Sequence, residues 1–461
     1  MAGNSGRGSE AERQLARMTT TPIPPLIVRL AIPSIISMLV TTLYNTADTW
    51  FVSQLGTEQS AGVGVFMPVM SIIQALGFML GQGAGSHIAR LLGQQQLEAA
   101  RMKASSGVFA ALVTGLGITV AGILTLDPLL RLVGAGEDFL VYAREYAFWI
   151  LLVAPIKCAS FVLNNLLRYE GKTFHAMIGL TSGGLINIGL DPLFIFVFGW
   201  GVSGAAIATA LSAVISFVIL LAMLQSRHSA LRLSPRAISR KAGDYIEMVR
   251  LGFPSLTRQG LASIAVSLQN SSAEALGGAA AVAAFSIVGR VTFFVTALML
   301  GLGQGFQPVV GYNYGARAWS RVRAAYRFTI ITGFLLQAGM GLLLFFFAPQ
   351  VVQAFRDDPA VIAVGIPIMQ LQTAILPLMA PNTATNMLLQ ASGHAYSATL
   401  LAASRQGLFF IPLMLILPRL FGLNGVIAVQ PIADLLTLGI TIPFALRFFR
   451  NLPKADGIAY A

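Results

Sequence analysis

Twelve long apolar stretches, each interrupted by few or no charges, run through this chain and leave it very few ways to fold. Their approximate limits are Leu30–Gln54, Ala61–Ile88, Ala104–Leu126, Phe139–Leu167, Phe174–Phe198, Val202–Leu224, Val249–Leu276, Ala280–Val310, Phe328–Pro349, Val361–Leu389, Tyr396–Leu420 and Gly425–Leu446. A helix needs about 20 apolar residues to cross the hydrocarbon core of a bilayer, and each stretch is long enough. Hydrophobic residues make up 56% of the 461 and charged residues 10%, with mean hydropathy +0.74. A soluble surface needs far more charge than that. The expected fold is therefore an all-α polytopic membrane protein of twelve transmembrane helices.

The net charge of +12 raises the question of a nucleic-acid partner, and the placement of the basic residues answers it. Among the 30 Lys and Arg, only Arg131, Arg144, Arg356 and Arg419 fall on one set of alternate loops, and only Lys157, Arg258, Arg290 and Arg405 lie inside spans. The remaining 22 sit in the other loops and the two tails. This is the positive-inside pattern, and it places both termini in the cytoplasm. The basic residues are spread over short loops between apolar spans, so no nucleic acid is expected.

The two halves repeat at an offset of 220–222 residues. Leu30–Ile35 matches Leu251–Leu256, Leu80–Gly83 matches Leu302–Gly305, and Pro155 matches Pro377. Asn164 and Gly171 match Asn386 and Gly393, and Gly204 matches Gly425. The matches run in order through all six spans. Six is even, so the halves share one orientation, which implies two six-helix repeats related by a pseudo-twofold axis along the membrane normal. The expected organisation is a disordered cytoplasmic tail (1–23), a first half (24–224), a cytoplasmic linker (225–247), a second half (248–450) and a cytoplasmic tail (451–461).

No Walker sequence, HExxH motif or paired histidines are present, so no enzyme is expected and no catalytic residue or cofactor is assigned. Cys158 is alone and can form neither an intrachain disulfide nor a zinc site. The glycine pairs Gly81/Gly83 and Gly303/Gly305 lie inside spans and read as close-packing positions.

Chemistry resides in the acids at membrane depth, where a carboxylate costs roughly 2.5–3.5 kcal/mol on insertion scales and normally faces a cavity or partner. Asp48 lies in the polar run Tyr44–Asp48. Asp191 follows Asn187 by four residues, on one helical face, and Pro192 frees the carbonyl of Ile188. Asp48, Asn187 and Asp191 form a plausible oxygen cage for Na⁺, and the same cluster could hold a proton. The second half has Gln269 opposite Asp48 and carries Arg258, Arg290, Arg405 and Asp434 instead. These read either as a salt-bridge network or as counter-ion or substrate contacts. Tyr44, Met67 and Phe285 are aromatic or soft side chains suited to lining an organic-cation site.

The segments Leu30–Gly56, Gly81–Gly93, Asn187–Pro192 and Arg405–Pro412 resemble those of the multidrug and toxic compound extrusion (MATE) transporters, in particular their MepA-like bacterial members. The resemblance covers about Pro24 to Pro453. It implies a pair of six-helix lobes exporting cationic, amphipathic drugs and dyes by alternating access, in exchange for H⁺ or Na⁺. It carries the cation-coupling role onto Asp48, Asn187 and Asp191, and by spacing onto Tyr146, Asn164 and Thr209. It places Arg258 and Arg405 among the group's features; on the reading of the second-half charges above, Arg258 is a candidate substrate contact. The carboxylate that another branch carries early in the seventh span is missing from Pro254–Ser263. The expected setting is a bacterial inner membrane and the expected state a monomer. The alternative is a flippase of lipid-linked glycans from the same superfamily, which would need a basic cavity.

Overall fold

The computed structural model describes residues 5–457. The first half holds α1 (Ser5–Thr20), α2 (Ile23–Ser53), α3 (Thr57–Gly93), α4 (Leu97–Leu124), the short α5 (Leu126–Leu132) and α6 (Leu140–Tyr169). α7 (Thr173–Pro192) runs on into a π-turn, Leu193–Val197, before α8 (Gly201–Gln225). Pro192 has no N–H to give the Ile188 carbonyl, and the wider turn after it closes with Phe198 N–H donating to Leu193 O at 2.9 Å. The second half holds α9 (Ala242–Gly315), α10 (Trp319–Phe346), α11 (Ala348–Phe355), α12 (Pro359–Ile375), α13 (Met379–Ala391), α14 (Ala395–Ala403) and α15 (Ile411–Asn451). A π stretch, Ser404–Phe410, joins α14 to α15.

Among the described residues, ten helical stretches are long and apolar enough to cross a membrane. Two of them are double. Gly278 (φ 62°, ψ −162°) breaks Ala242–Gly315, and Gly422 (φ 57°, ψ −138°) breaks Ala395–Asn451. Twelve spanning helices result, as the hydropathy pattern requires. Their exposed faces are apolar, with Leu116, Val120 and Leu124 on α4 and Leu335, Leu342 and Leu343 on α10 among them. The chain is a multi-pass membrane protein.

The repeat is written into the backbone. Gln95 (φ 62°) and Arg317 (φ 58°) hold the same left-handed conformation 222 residues apart, as do Gly171 (φ 88°) and Gly393 (φ 91°). Each closes a helix in the same way, with the next N–H reaching back five residues: Gln96 to Leu91 O, Ala318 to Asn313 O, Lys172 to Leu167 O and His394 to Leu389 O. This is the Schellman closure, in which a left-handed residue satisfies carbonyls left over at a helix end. The asparagine match holds too. Asn164 Nδ2 donates to Ala176 O at 2.8 Å, and Asn386 Nδ2 donates to Ala398 O at 2.7 Å.

The chain forms two compact units, one of residues 1–18 and 36–252, the other of 19–35 and 253–461. Both boundaries cut helices. In the first unit, the opening turns of α9 lie against α3, where a Cβ on Gly83 would stand 2.0 Å from Met248 O and one on Gly252 would stand 1.8 Å from Met79 O. In the second unit, the opening turns of α2 lie against the later part of α9, where a Cβ on Gly305 would stand 2.6 Å from Ala31 N. The glycine pairs are thus close-packing positions.

The segment expected to be a disordered tail is helical over Ser5–Thr20; residues 1–4 lie outside the described residues. Its physical anchor is Gly171, which leaves room for Met18 and Gln14 to seat against it. Gln14 Nε2 donates to Glu170 O at 2.8 Å. Glu170 also accepts from Ser229 Oγ at 2.8 Å and Ala230 N–H at 2.7 Å, tying the linker to the end of α6. Arg101 and the Ser106 hydroxyl hold the same linker, through Ala230 O and Ser239 N–H. In the second unit Ser320 holds Asp456 of the carboxyl-terminal segment through both N–H and Oγ.

Adding a methyl group at Gly83 must move backbone, because Met248 O stands in its way. Gly83→Ala is expected to destabilise the protein by about 1–3 kcal/mol. Gly117→Ala, on α4 with nothing within 4 Å of the new atom, should be neutral or gain up to about 1 kcal/mol from helix propensity. Thermal unfolding of the detergent-solubilised variants separates the two; equal melting temperatures would contradict the packing.

Candidate functional site

In the first unit, α2, α3, α6, α7 and α8 enclose a cavity of about 840 Å³, counting its open mouth. Small residues on α7 make it: Gly184 admits the ring of Tyr44 and Gly183 admits Ser216, each where a Cβ would clash at under 3 Å. Tyr44, Asn45 and Asp48 come from α2, Met70 and Gln74 from α3, Lys157 and Ser160 from α6, Asn187 from α7, and Thr209, Ser212 and Ser216 from α8. Most of these polar atoms sit at the depth of apolar spans, where only a cavity or a partner makes them affordable.

The acids form its centre. Asp48 is 7% exposed and Asp191 fully buried. Asn187 Nδ2 donates to Asp191 Oδ1 at 3.0 Å and to Thr209 Oγ1 at 3.4 Å, so one amide fixes Asp191 and ties α7 to α8. The two carboxyl groups are close enough to act on each other electrostatically. Asp48 Oδ1 and Asp191 Oδ2 are buried with no hydrogen-bond partner among the described residues. Two buried acceptor oxygens without a donor call for a proton or a cation. Asp48, Asp191 and the oxygens of Asn187 and Thr209 are the groups that could hold Na⁺.

The other expected residues divide. Tyr44 lines the cavity beside Asp48. Tyr146 is fully buried behind it, its hydroxyl 3.6 Å from Met70 Sδ. Asn164 does not line the cavity; its amide joins α6 to α7 at Ala176 O, as its counterpart Asn386 does in the second unit. Met70, not Met67, faces the cavity, three residues further along α3. Phe285 lines a separate cavity in the second unit, and Arg258 Nη1 donates to Asn386 Oδ1 at 3.1 Å.

That second cavity, of about 650 Å³, is the repeat of the first. Gln269 stands in the place of Asp48, Thr292 of Met70, Thr296 of Gln74, Met379 of Lys157 and Gln430 of Thr209, all at offsets of 221 or 222. Its charges are already paired. Arg405 Nε donates to Asp434 Oδ1 at 2.5 Å and Nη2 to Oδ2 at 3.3 Å, with Gln430 Nε2 on Oδ1 at 3.0 Å. Of the residues expected to form a network, Arg405 and Asp434 pair with each other, Arg258 donates to the Asn386 amide, and Arg290 is exposed.

Lys157 is the residue that sequence reading passed over. It counts among the basic residues inside spans, yet only the fold brings it to the wall beside Asp48. An ammonium in the middle of an apolar run is itself a signal of function.

The MatE family model matches residues 33–193 and 261–416. The chain is similar to the multidrug export protein MepA of Staphylococcus haemolyticus (strain JCSC1435), with 26% identity over 451 residues that cover 96% of this chain and 98% of that protein. It is similar to a MATE protein crystallised in complex with MaL6, at TM-score 0.90 and 31% identity over 95% of this chain and 99% of that one. A multidrug resistance MATE family transporter of the MOP superfamily in its outward-facing conformation gives TM-score 0.89 and 32% identity with the same coverage.

Asn187→Ala strips Asp191 Oδ1 of its donor and cuts the tie to Thr209. A loss of about 1–3 kcal/mol is expected for a buried acceptor left unmade, read as a lower melting temperature. Asn187→Asp should not rescue it, since a third acid brings no N–H; full rescue would contradict the assignment.

Proposed function

The chain belongs to the MatE family, and from that premise we propose that it is a secondary active multidrug exporter, expelling cationic amphipathic organic compounds in exchange for an inward-moving cation, H⁺ or Na⁺. The observation that carries the reading is the acid pair: two buried carboxyl oxygens without a donor, at a polar cavity inside a membrane-spanning bundle. A site of that kind is unstable empty and stable when loaded with one cation. Asp48 and Asp191 are the coupling acids in this reading, Asn187 and Thr209 hold them in place, and Tyr146 closes the site from behind. Tyr44 and Met70 offer an organic cation an aromatic face and a soft surface.

The reaction follows from competition. Facing the outside, the pair takes up the driving cation and any bound organic cation leaves, since both neutralise the same charge. Facing the cytoplasm, the organic cation binds and the driving cation departs. Alternating access between the two states makes one gradient drive the other. The basic loops support cytoplasmic termini in a bacterial inner membrane, and a cavity contained in a single chain supports a monomer. A lipid-linked glycan flippase would need free positive charge for its phosphates; the pairing of Arg405 with Asp434 leaves the second cavity without it.

Efflux of ethidium from efflux-deficient bacteria expressing the chain tests this. Asp48→Asn is expected to reduce efflux at least about tenfold at equal membrane expression. Collapsing the proton and sodium gradients separately names the driving ion. No efflux of any cationic dye by the unaltered protein would overturn the exporter reading, and full activity of Asp48→Asn would overturn the coupling site.

A further inference from the structure

The first cavity has a charge composition that the residues around it define completely. α2 brings Tyr44 and Asp48, α3 only uncharged side chains, α6 brings Lys157 with Tyr146 behind it, α7 brings Asp191 behind Asn187, and α8 brings Thr209, Ser212 and Ser216. The phenols are neutral, so three charges count: two negative and one positive.

Lys157 is not consumed by the fold. It makes no hydrogen bond and no ion pair within 4.0 Å with any described residue, whereas Arg405 in the second cavity is locked onto Asp434. Lys157 is half-buried in the cavity wall, and its charge acts on Asp48. In the second unit the equivalent position is Met379, so the repeat does not require a cation there.

We infer that Lys157 limits the cargo of this cavity to a single net positive charge. The inference rests on the proposed export of organic cations and narrows its substrate class. With both acids ionised and Lys157 protonated, the cavity carries one net negative charge. A monovalent organic cation brings it to neutrality. A divalent one leaves a net positive charge among apolar helices, which a low-dielectric interior opposes strongly. Without the ammonium the acids together would match a dication.

Ethidium and propidium share a phenanthridinium ring, and propidium adds a quaternary ammonium on a side arm. Equilibrium binding of each to the purified full-length protein in detergent, followed by dye fluorescence, tests the limit. The unaltered protein should bind ethidium about tenfold or more tightly than propidium, the size of one unit-charge repulsion at roughly 10 Å in an effective dielectric of about 20. Lys157→Gln and Lys157→Met, the latter restoring the residue of the second half, should bring that ratio close to one. Lys157→Arg should preserve it. The larger size of propidium is controlled by the same variants, because a steric bar would survive loss of the charge. Equal affinities in the unaltered protein, or an unchanged ratio in both neutral variants, would overturn the limit while leaving cation export intact. Failure of the unaltered protein to bind either dye would instead remove the organic-cation reading and this inference with it.

Discussion

Asp48 and Asp191 each bury a carboxyl oxygen that no donor reaches, and much of the first unit is arranged around that fact. Burial penalises a charged acid, and a second acid beside it raises the penalty. Asn187 relieves part of it with one amide directed at Asp191. The rest is left for something that comes and goes. A fully satisfied network at this depth would be rigid; this one leaves two buried acceptor oxygens open to a proton or a cation, as the proposed coupling requires.

The scaffold that holds the pair consists largely of small residues. Gly183 and Gly184 on α7 let Ser216 and Tyr44 come close enough to shape the cavity. Gly83, Gly252 and Gly305 let helix backbones touch within each unit. In a bilayer, helices gain little from hydrophobic exclusion and depend on close packing, so these positions carry stability that larger side chains carry in soluble proteins. The same segments explain why each compact unit borrows the opening turns of a helix from the other half of the sequence.

Spans and repeat were legible in the sequence because they are properties of long windows: hydropathy and an ordered series of matches. Asp48, Asn187 and Asp191 were legible because acids in apolar runs are costly and because a spacing of four shares a helical face. Other assignments depended on rotation about a helix axis, which apolar sequence encodes weakly. Met67 and Met70 differ by less than one turn, yet only Met70 reaches the cavity. Asn164 is chemically suited to a cation and instead bridges α6 and α7. Lys157 needed α2 and α6 to be brought together before its relation to Asp48 existed. The amino-terminal helix was illegible for a different reason: its polar composition reads as solvated chain, and its order comes from a docking surface at Gly171 and Glu170 formed far along the sequence.

The two cavities show how one backbone can serve two electrostatic purposes. Equivalent positions line both, yet the second closes its charge internally, with Arg405 gripping Asp434 through two nitrogens. Breaking such a buried pair leaves an uncompensated charge and costs several kcal/mol, so a passing cation has little to gain there. In the first, Lys157 stands off from Asp48 rather than bonding to it, and the acids outnumber it. The difference arises from a few exchanges within the repeat: Asp48 for Gln269, Lys157 for Met379, and Gly184 for Arg405. The duplicated fold therefore supplies the same helices twice, while the unbalanced charge that the proposed cation exchange requires lies in the cavity of the first half.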